Sequence, residues 1–332
     1  MLTDEKFTPH SAFLSEVELC ERFKVNVATA RKAVRNLEEE GLLYKIHRKG
    51  TFVSPPSRNK LILFVTTSRS FSTVGRVTPV ASKYPTFQWL ELPVDDLRPI
   101  MADIRHVFPR LKGVLFVRDL PGCIDVIRGV QTQGIPTFFY GSEAHTPFLD
   151  MTHSLLYRES EMSAMVMDHL KACGCRNIGF LGTDELVVFS ARHEFFRKWM
   201  GENGFQIKLA NVINLPREIL FDPRKSFDEV SRRLKAKDFD ADGIFCANEN
   251  CSAVFVQAAT ALGIKIPTRM KVAGIEDDGI ITERIYPQPT SVRIPFDEDV
   301  RESFRILTEL IDDDEAITRR WSKHYLIKRQ ST

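Results

Sequence analysis

The chain lacks any apolar run near the ~18 residues a membrane span requires, and its first residues, Met1-Leu2-Thr3-Asp4-Glu5-Lys6, carry acid where an export signal carries base. Both absences predict a cytoplasmic protein. There is no Cys-x-x-Cys pair. The six cysteines, at 20, 123, 173, 175, 246 and 251, are scattered, and Cys173-Gly174-Cys175 has no second ligand pair beside it. This excludes the common zinc and disulfide frameworks and leaves buried thiols as the expectation. Also missing are Gly-x-Ser-x-Gly, a Walker-type Gly-rich Lys-Ser/Thr loop and His-Glu-x-x-His, and the eight histidines are dispersed. Nothing calls for catalysis, a cofactor or a metal.

What remains is a chain of 332 residues, 43% hydrophobic and 27% charged, the composition of a soluble protein too long for one ordinary core. The net charge of +2 is unevenly spread. Residues 22–60 hold far more Lys and Arg than Asp and Glu, so the rest is slightly acidic. A basic head on a near-neutral body points to nucleic acid.

The head reads as ordered structure. Ser15-Glu16-Val17-Glu18 is a capping box, flanked by Leu14 and Leu19 at the staple positions, and predicts a helix to about Phe23. After the break Lys24-Val25-Asn26, Asn26 caps a second helix, Val27 to Glu40, with Ala30, Val34 and Leu37 on its apolar stripe and Gly41 as its stop. Two helices across a tight turn describe a helix-turn-helix. Asn26, Thr29, Arg31, Lys32 and Arg35 are then candidate DNA contacts on the recognition helix. Leu42–Ile46, His47-Arg48-Lys49-Gly50 and Thr51–Val53 read as a two-stranded wing whose candidate contacts are His47, Arg48, Lys49, Gly50 and Thr51. A merely solvated basic helix would explain the charges but not the caps, turn and wing.

The runs Leu14-Ser15-Glu16-x-Glu18-Leu19, Thr29-x-Arg31-x-Ala33, Leu37-Glu38-x-Glu40-Gly41-Leu42-Leu43 and Lys49-Gly50-Thr51-Phe52-Val53 resemble the winged helix of the GntR family. The resemblance implies DNA contacts at Thr29, Arg31 and His47 to Thr51. Three positions depart from it: Val17 and Val27 stand where the family has arginine, and Arg48 where it has glycine. An unusual operator is expected. Only about six residues precede the segment Phe7-Thr8-Pro9-His10, where the family has a whole helix, so either an upstream start or a trimmed head is expected.

Ser54–Lys60, with Pro55 and Pro56, has the composition of a semi-rigid spacer. The expected division is a head of residues 1–54, a linker of 55–60 and a body of 61–332. In the body, buried-strand runs (Leu61–Thr66, Phe87–Leu92, Gly113–Val117, Thr137–Tyr140, Ile178–Leu181, Val212–Leu215, Gly243–Cys246, Val272–Ile275, Ser291–Ile294) alternate with amphipathic stretches (Asp95–Val107, Ile124–Gln133, Glu159–Cys173, Ser190–Asn203, Ser226–Lys235, Ala253–Leu262, Asp297–Ile311). This alternation predicts doubly wound, parallel sheets in two lobes behind an N-terminal winged helix-turn-helix. Ligands of such folds bind beyond the carboxyl ends of strands. Ser68, Arg69 and Arg118 follow strands of the first lobe; Asn248, Glu249, Glu276, Asp277 and Asp278 follow strands of the second.

The pieces His169-Leu170…Gly174-Cys175-Arg176-Asn177-Ile178, Ser190-Ala191-Arg192, Asp240 to Asn248, Ala258 to Pro267, Val272 to Asp278, Pro289 to Val292 and Leu326-Ile327-x-Arg329-x-Ser331 resemble the LacI/GalR sensors and their periplasmic sugar-binding relatives. The resemblance implies effector contacts at Arg192, Asn248 and Glu276, with Ser68, Arg69 and Arg118 as weaker candidates in an interlobe cleft. A carboxylate accepts from adjacent sugar hydroxyls, arginine donates, and asparagine does both. Phe189 could stack on a sugar or fill the core. Departures again occur: Glu276 replaces the usual aspartate, Phe195 a glycine, and Cys175 a histidine, and the stretch around Val74–Lys83 makes a short, proline-containing first helix. If Arg69 and Arg118 face the cleft, a sugar phosphate or uronate would fit.

A GntR-type head on a LacI-type body resembles the arabinose-repressor group. This implies a homodimeric repressor on double-stranded operator DNA, controlled by a small sugar-like effector. An activator, or a sensor of a purine or an anionic sugar, is the alternative. A solute-binding protein would lack the basic head, and a head fused to an aminotransferase-like enzyme would need a longer body.

Overall fold

The computed structural model of the chain describes residues 8, 10–39, 42–46, 49–54, 60–66, 80, 84, 87–117, 123–144, 151–277, 279–312 and 317–332. The head begins with α1 (Glu16–Phe23) and α2 (Val27–Glu39). Ser15 Oγ accepts from the Glu18 amide at 3.3 Å, and the Ser15 amide donates to Glu18 at 2.7 Å, closing the capping box. Lys24 turns the chain in the left-handed region at φ 53°, and Asn26 Oδ1 accepts from the Thr29 amide at 2.8 Å to start α2.

The wing is the antiparallel pair β1 (Leu43–Ile46) and β2 (Gly50–Val53), in the register Leu43↔Val53 to Ile46↔Gly50. Gly50 sits at φ +116°, a conformation that requires glycine. Phe13, Leu19, Ala30, Val34, Leu43 and Val53 form a closed small core beneath the two helices. The segment ahead of α1 also joins the wing: Phe13 donates its amide to Thr51 O and Val53 donates to Ser11 O.

The body contains two six-stranded sheets. The first uses β3 (Lys60–Thr66), β4 (Phe87–Pro93), β5 (Leu111–Val117), β6 (Thr137–Ser142), β7 (His153–Tyr157) and β13 (Arg319–Trp321), in the order β13-β7-β6-β5-β3-β4. The second uses β8 (Ile178–Gly182), β9 (Val212–Asn214), β10 (Gly243–Cys246), β11 (Lys271–Glu276), β12 (Thr290–Arg293) and β14 (Tyr325–Ile327), in the order β14-β12-β11-β10-β8-β9. The β8, β9, β10, β11 and β12 neighbours pair in parallel, and only β14 runs antiparallel, against β12. Parallel strands buried on both faces need the near-continuous apolar runs that the sequence supplies. Ile178, Phe180, Leu181, Ile244, Phe245, Val272 and Ile275 are accordingly buried.

The connecting helices are α3 (Val94–Leu97), α4 (Ile104–Val107), α5 (Ile124–Thr132), α6 (Glu159–Ala172), α7 (Val187–Glu202), α8 (Arg217–Leu220), α9 (Pro223–Leu234), α10 (Glu249–Ala261), α11 (Gly279–Thr282) and α12 (Phe296–Asp312). By contacts, the chain divides into two compact units. One comprises residues 1–115, 125–137 and 307–312, and the other 116–124, 138–306 and 313–332. Among the described residues no helix is long and apolar enough to cross a membrane.

Three local expectations change. The stretch Asp95–Val107 is not one helix but α3, a 3-10 turn over Arg98–Asp103, and α4. Pro99 enforces the break, because it offers no amide to an α-helical ladder and crowds the preceding turn. Strands β7, β13 and β14 are additional, their apolar content being too short or too interrupted to signal them. Most of Val74–Lys83, and Gly41, lie outside the described residues.

Four of the cysteines, 123, 175, 246 and 251, are buried, and Cys20 and Cys173 are half-buried; all are free thiols. Burial, with Asp242 beside it, pushes the Cys175 thiol up to about 12. It is thus a packing group rather than a nucleophile.

Candidate functional site

In the head, Asn26, Thr29, Arg31, Lys32 and Arg35 are all exposed, as a nucleic-acid face requires, and so are Lys49 and Gly50 in the wing. Asn26 has a second duty: its side-chain oxygen is spent capping α2. Thr51 is half-buried and registers opposite Lys45. His47 and Arg48 lie outside the described residues.

Arg31 holds a partner that sequence reasoning missed. Its Nε donates to both Glu16 oxygens at 3.2 Å and its Nη2 to Glu16 Oε2 at 2.8 Å. The hydrogen bond from Arg31 holds the Glu16 carboxyl below its usual range. DNA that engages Arg31 must therefore compete with an internal carboxylate. Val17 and Val27 are 64% and 48% exposed, so the two positions where arginine is usual remain surface positions, without charge.

In the second unit, Arg192, Asn248 and Glu276 come together at the carboxyl ends of β10 and β11, on α7 and the strand-end turns. Arg192, on the inner face of α7, has no solvent exposure. Its Nε donates to Glu159 Oε2 at 2.6 Å and its Nη2 to Glu159 Oε1 at 3.3 Å. Its Nη1 donates to Ala247 O at 2.6 Å and to Glu276 Oε1 at 3.3 Å. The guanidinium also lies 5.7 Å from the Phe189 ring centre, which makes Phe189 a buried floor beneath it. Burial alone would lower the Arg192 pKa; Glu159 and then Glu276 outweigh it and hold the group firmly charged.

Glu159 was not among the expected site residues. It is the first residue of α6, directly after β7, and is fully buried. The signal for it was available: a carboxylate just past a strand and at a helix N-terminus, where the dipole favours it. It was hidden because β7 itself was unrecognised.

Asn248 is nearly buried and caps α10, its Oδ1 accepting from the Cys251 amide at 3.0 Å. The cap leaves its Nδ2 as a donor at the strand end. Glu276 and Asp277 both adopt positive φ, 99° and 54°. Two adjacent non-glycine residues in this region store strain of a kind found at ligand-binding turns. The side chain of Glu276 stays 21% exposed, whereas that of Asp277 is buried between Arg293 Nε at 2.7 Å and Arg329 Nη2 at 2.6 Å.

Behind them, Glu249 at the start of α10 is buried, with Ser291 beside its carboxyl. Burial raises Glu249 most, a hydrogen bond from Ser291 opposes it, and the charges of Asp277 and Glu276 add to the rise, which reaches about 8, so the group is largely protonated at neutral pH. The remaining candidates, Ser68, Arg69 and Arg118, lie outside the described residues, as does Asp278. Chemically, the assembled groups present hydrogen-bond acceptors and one amide donor around a guanidinium already held in place. Among the described residues no cluster has the make-up of a metal site.

Comparison with known proteins finds two family matches in the chain. Residues 167–332 match the periplasmic binding protein-like domain family, and residues 1–53 match the bacterial regulatory proteins of the gntR family. The arabinose metabolism transcriptional repressor of Geobacillus stearothermophilus is 23% identical over 325 residues, covering 92% of this chain and 86% of the relative. The HTH-type transcriptional repressor NagR of Bacillus subtilis is 41% identical over 54 residues, 16% of this chain and 22% of its own. Among solved structures, a complex of transcriptional regulator CelR with cellobiose superposes with a TM-score of 0.67 at 18% identity, covering 93% of this chain and 92% of the other. The lac repressor dimer bound to operator and an anti-inducer gives 0.68 at 18% identity, covering 82% and 93%.

Proposed function

Because the chain belongs to the family of periplasmic binding protein-like domains and carries a gntR-family helix-turn-helix at its N-terminus, we propose that it is a transcriptional repressor whose grip on operator DNA is set by a small effector. One observation carries this reading. The same chain holds a closed winged head with an exposed basic helix face and, in its second unit, a polar cluster at the carboxyl ends of parallel strands. We take residues 1–54 as the DNA-binding head and 61–332 as the effector-binding and dimerisation body, with the expected linker 55–60 ending one residue earlier because Lys60 already pairs in β3.

The recognition helix presents Thr29, Arg31, Lys32 and Arg35 to the major groove, and the wing presents Lys49 and Gly50 to the backbone. One short head engages too few phosphates for tight binding. A homodimer gripping two half-sites raises the effective concentration of the second head. The effector is a sugar or sugar-derived molecule, held by Glu276 and Asn248 in the cluster that Arg192 organises. The relatives that match the chain include a repressor of arabinose metabolism and a regulator solved with cellobiose, which supports that class. An effector that binds the two functional states about 10²–10⁴-fold differently suffices to switch occupancy. The protein acts in the cytoplasm, where its DNA is.

Fluorescence anisotropy on DNA from upstream of the protein's own gene, titrated with salt and then with sugars, tests the reading. Tight binding that weakens steeply with salt and is released by one sugar is the expected result. Binding that ignores every sugar would remove the sensor half of the proposal, and no binding at any salt would remove the regulatory half.

A further inference from the structure

We propose that Glu159 sets the charge class of the effector: by occupying Arg192 it makes this site admit ligands that present hydroxyl or ammonium donors and refuse carboxylates and phosphates. The inference rests on the reading of this cluster as the effector site and narrows it.

Arginine recognises an anion by turning its N–H fork toward it. Here four of its five N–H donors are engaged. Glu159 takes Nε and Nη2, and Nη1 is divided between Ala247 O and Glu276. A phosphate or carboxylate seeking the guanidinium must displace either Glu159, which is fully buried, or Glu276, whose weaker contact at 3.3 Å is partly exposed.

Among the described residues, the two other arginines beside the cluster are already engaged. Arg293 and Arg329 both converge on Asp277. Glu249, buried behind them, is pushed up first by burial and further by Asp277 and Glu276, against a hydrogen bond from Ser291 and the charge of Arg329. What stays accessible on this side is the carboxylate of Glu276, with the amide of Asn248 beside it at the adjacent strand end. A carboxylate binds donors, and both a hydroxyl and an ammonium supply them. Glu159 thus acts through Arg192. It is a specificity residue that need not touch the ligand, and its conservative variant separates it from a purely structural group.

The test uses the full-length protein and two readouts, thermal melting and calorimetric titration, with sugars matched in skeleton. Arabinose, glucose and cellobiose form the neutral arm, glucosamine the ammonium arm, and glucose 6-phosphate, ribose 5-phosphate and glucuronate the anionic arm. The wild type is expected to bind in the neutral or ammonium arm, which the first two arms tell apart, and to ignore the anionic arm. Glu159→Gln removes the negative charge and one of the two acceptor oxygens, and so frees at least one guanidinium donor. It is expected to lose at least tenfold in affinity for the wild-type ligand and to gain measurable binding of an anionic sugar, while Glu159→Asp keeps the wild-type ranking.

Wild-type binding confined to the anionic arm would overturn the proposal and leave the sensor reading standing. A folded Glu159→Gln that still refuses every anion would also overturn it. Should Glu159→Gln not fold, the wild type and Glu159→Asp still decide the matter through the anionic arm. If the wild type binds no sugar in any arm, the effector reading falls and takes this proposal with it.

Discussion

Glu159 and Arg192 meet as a two-pronged ion pair, at 2.6 and 3.3 Å, from which solvent is fully excluded. The pair joins the first turn of α6 to the inner face of α7, so it fixes two helices as well as a charge. Taking both ions out of water is costly, and the arrangement is retained only because nearly every guanidinium donor has an acceptor. Removing one partner strands the other.

Arg192→Ala should therefore do two separable things. It leaves Glu159 buried without its counter-ion, and loss of one member of such a pair costs about 3–5 kcal/mol. Chemical denaturation should show that loss directly. Below the lowered melting temperature, operator binding by the head should survive while the sugar response disappears. A folded Arg192→Ala that still releases DNA normally on adding sugar would show that the guanidinium is scaffold alone. Replacing Arg192 and Glu159 together by methionine should recover much of the stability and none of the response.

Asn248 carries two functions on two atoms. Its Oδ1 caps α10 through the Cys251 amide, and its Nδ2 is the donor left for a ligand. Asn248→Ala removes both and should cost about 1 kcal/mol from the lost cap. Asn248→Asp keeps an oxygen for the cap but replaces the donor by a second acceptor. It should melt near the wild type yet bind effector at least tenfold more weakly. Equal loss of effector affinity and stability in Asn248→Asp would instead assign the residue to capping only.

The fold was legible because its signals are local and redundant. Alternating buried runs such as Gly243–Cys246 match the observed strand end to end, and the caps at Ser15 and Asn26 sit where the box and turn chemistry put them. What escaped depended on contacts distant in sequence. Strand β13, with all three residues exposed, exists because it pairs with β7, some 165 residues earlier. No propensity within Arg319–Trp321 encodes that. The placement of the candidate residues was legible to the same degree. Arg192, Asn248 and Glu276 could be placed at strand ends or on the helix behind them, but the state of Arg192 could not, because Glu159 lies 33 positions away on an element whose preceding strand has only five residues.

Lys32 and Arg35 are exposed on α2 and stand on the face expected to meet phosphates. Each alanine substitution should reduce the slope of log K against log salt by about one. Arg31 differs, since Glu16 already engages it through two nitrogens. Arg31→Ala should thus change the salt slope less than Lys32→Ala does, because part of its charge is neutralised before DNA arrives. Anisotropy titrations from low to physiological salt separate the three, and identical slopes for all of them would deny the Glu16 contact any role in solution.

Glu249 makes stability fall with rising pH in a definable window. Its folded-state pKa, about 8, lies above the ordinary glutamate value of 4.5, so the native state holds the proton more tightly than the unfolded chain. The stabilisation is complete below about pH 4.5 and is lost as pH climbs toward 8, above which the loss is finished. Other shifted groups act elsewhere. Asp299, raised by burial to about 6, contributes its loss below that value, and His324 and His169, both lowered by burial, titrate below their ordinary 6.5. The thiols of Cys175 and Cys251, raised from 9 to about 12, act only in alkali. Between pH 6.5 and 8, Glu249 is accordingly the dominant contributor among the described residues, and one and a half pH units correspond to about 2 kcal/mol. Urea unfolding across that interval should show the decline in the wild type and a nearly level profile in Glu249→Gln, which cannot ionise. A wild-type profile that is level there would mean that the carboxyl finds compensation in solution, and that the negative field at the carboxyl ends of β10 and β11 is weaker than the geometry indicates.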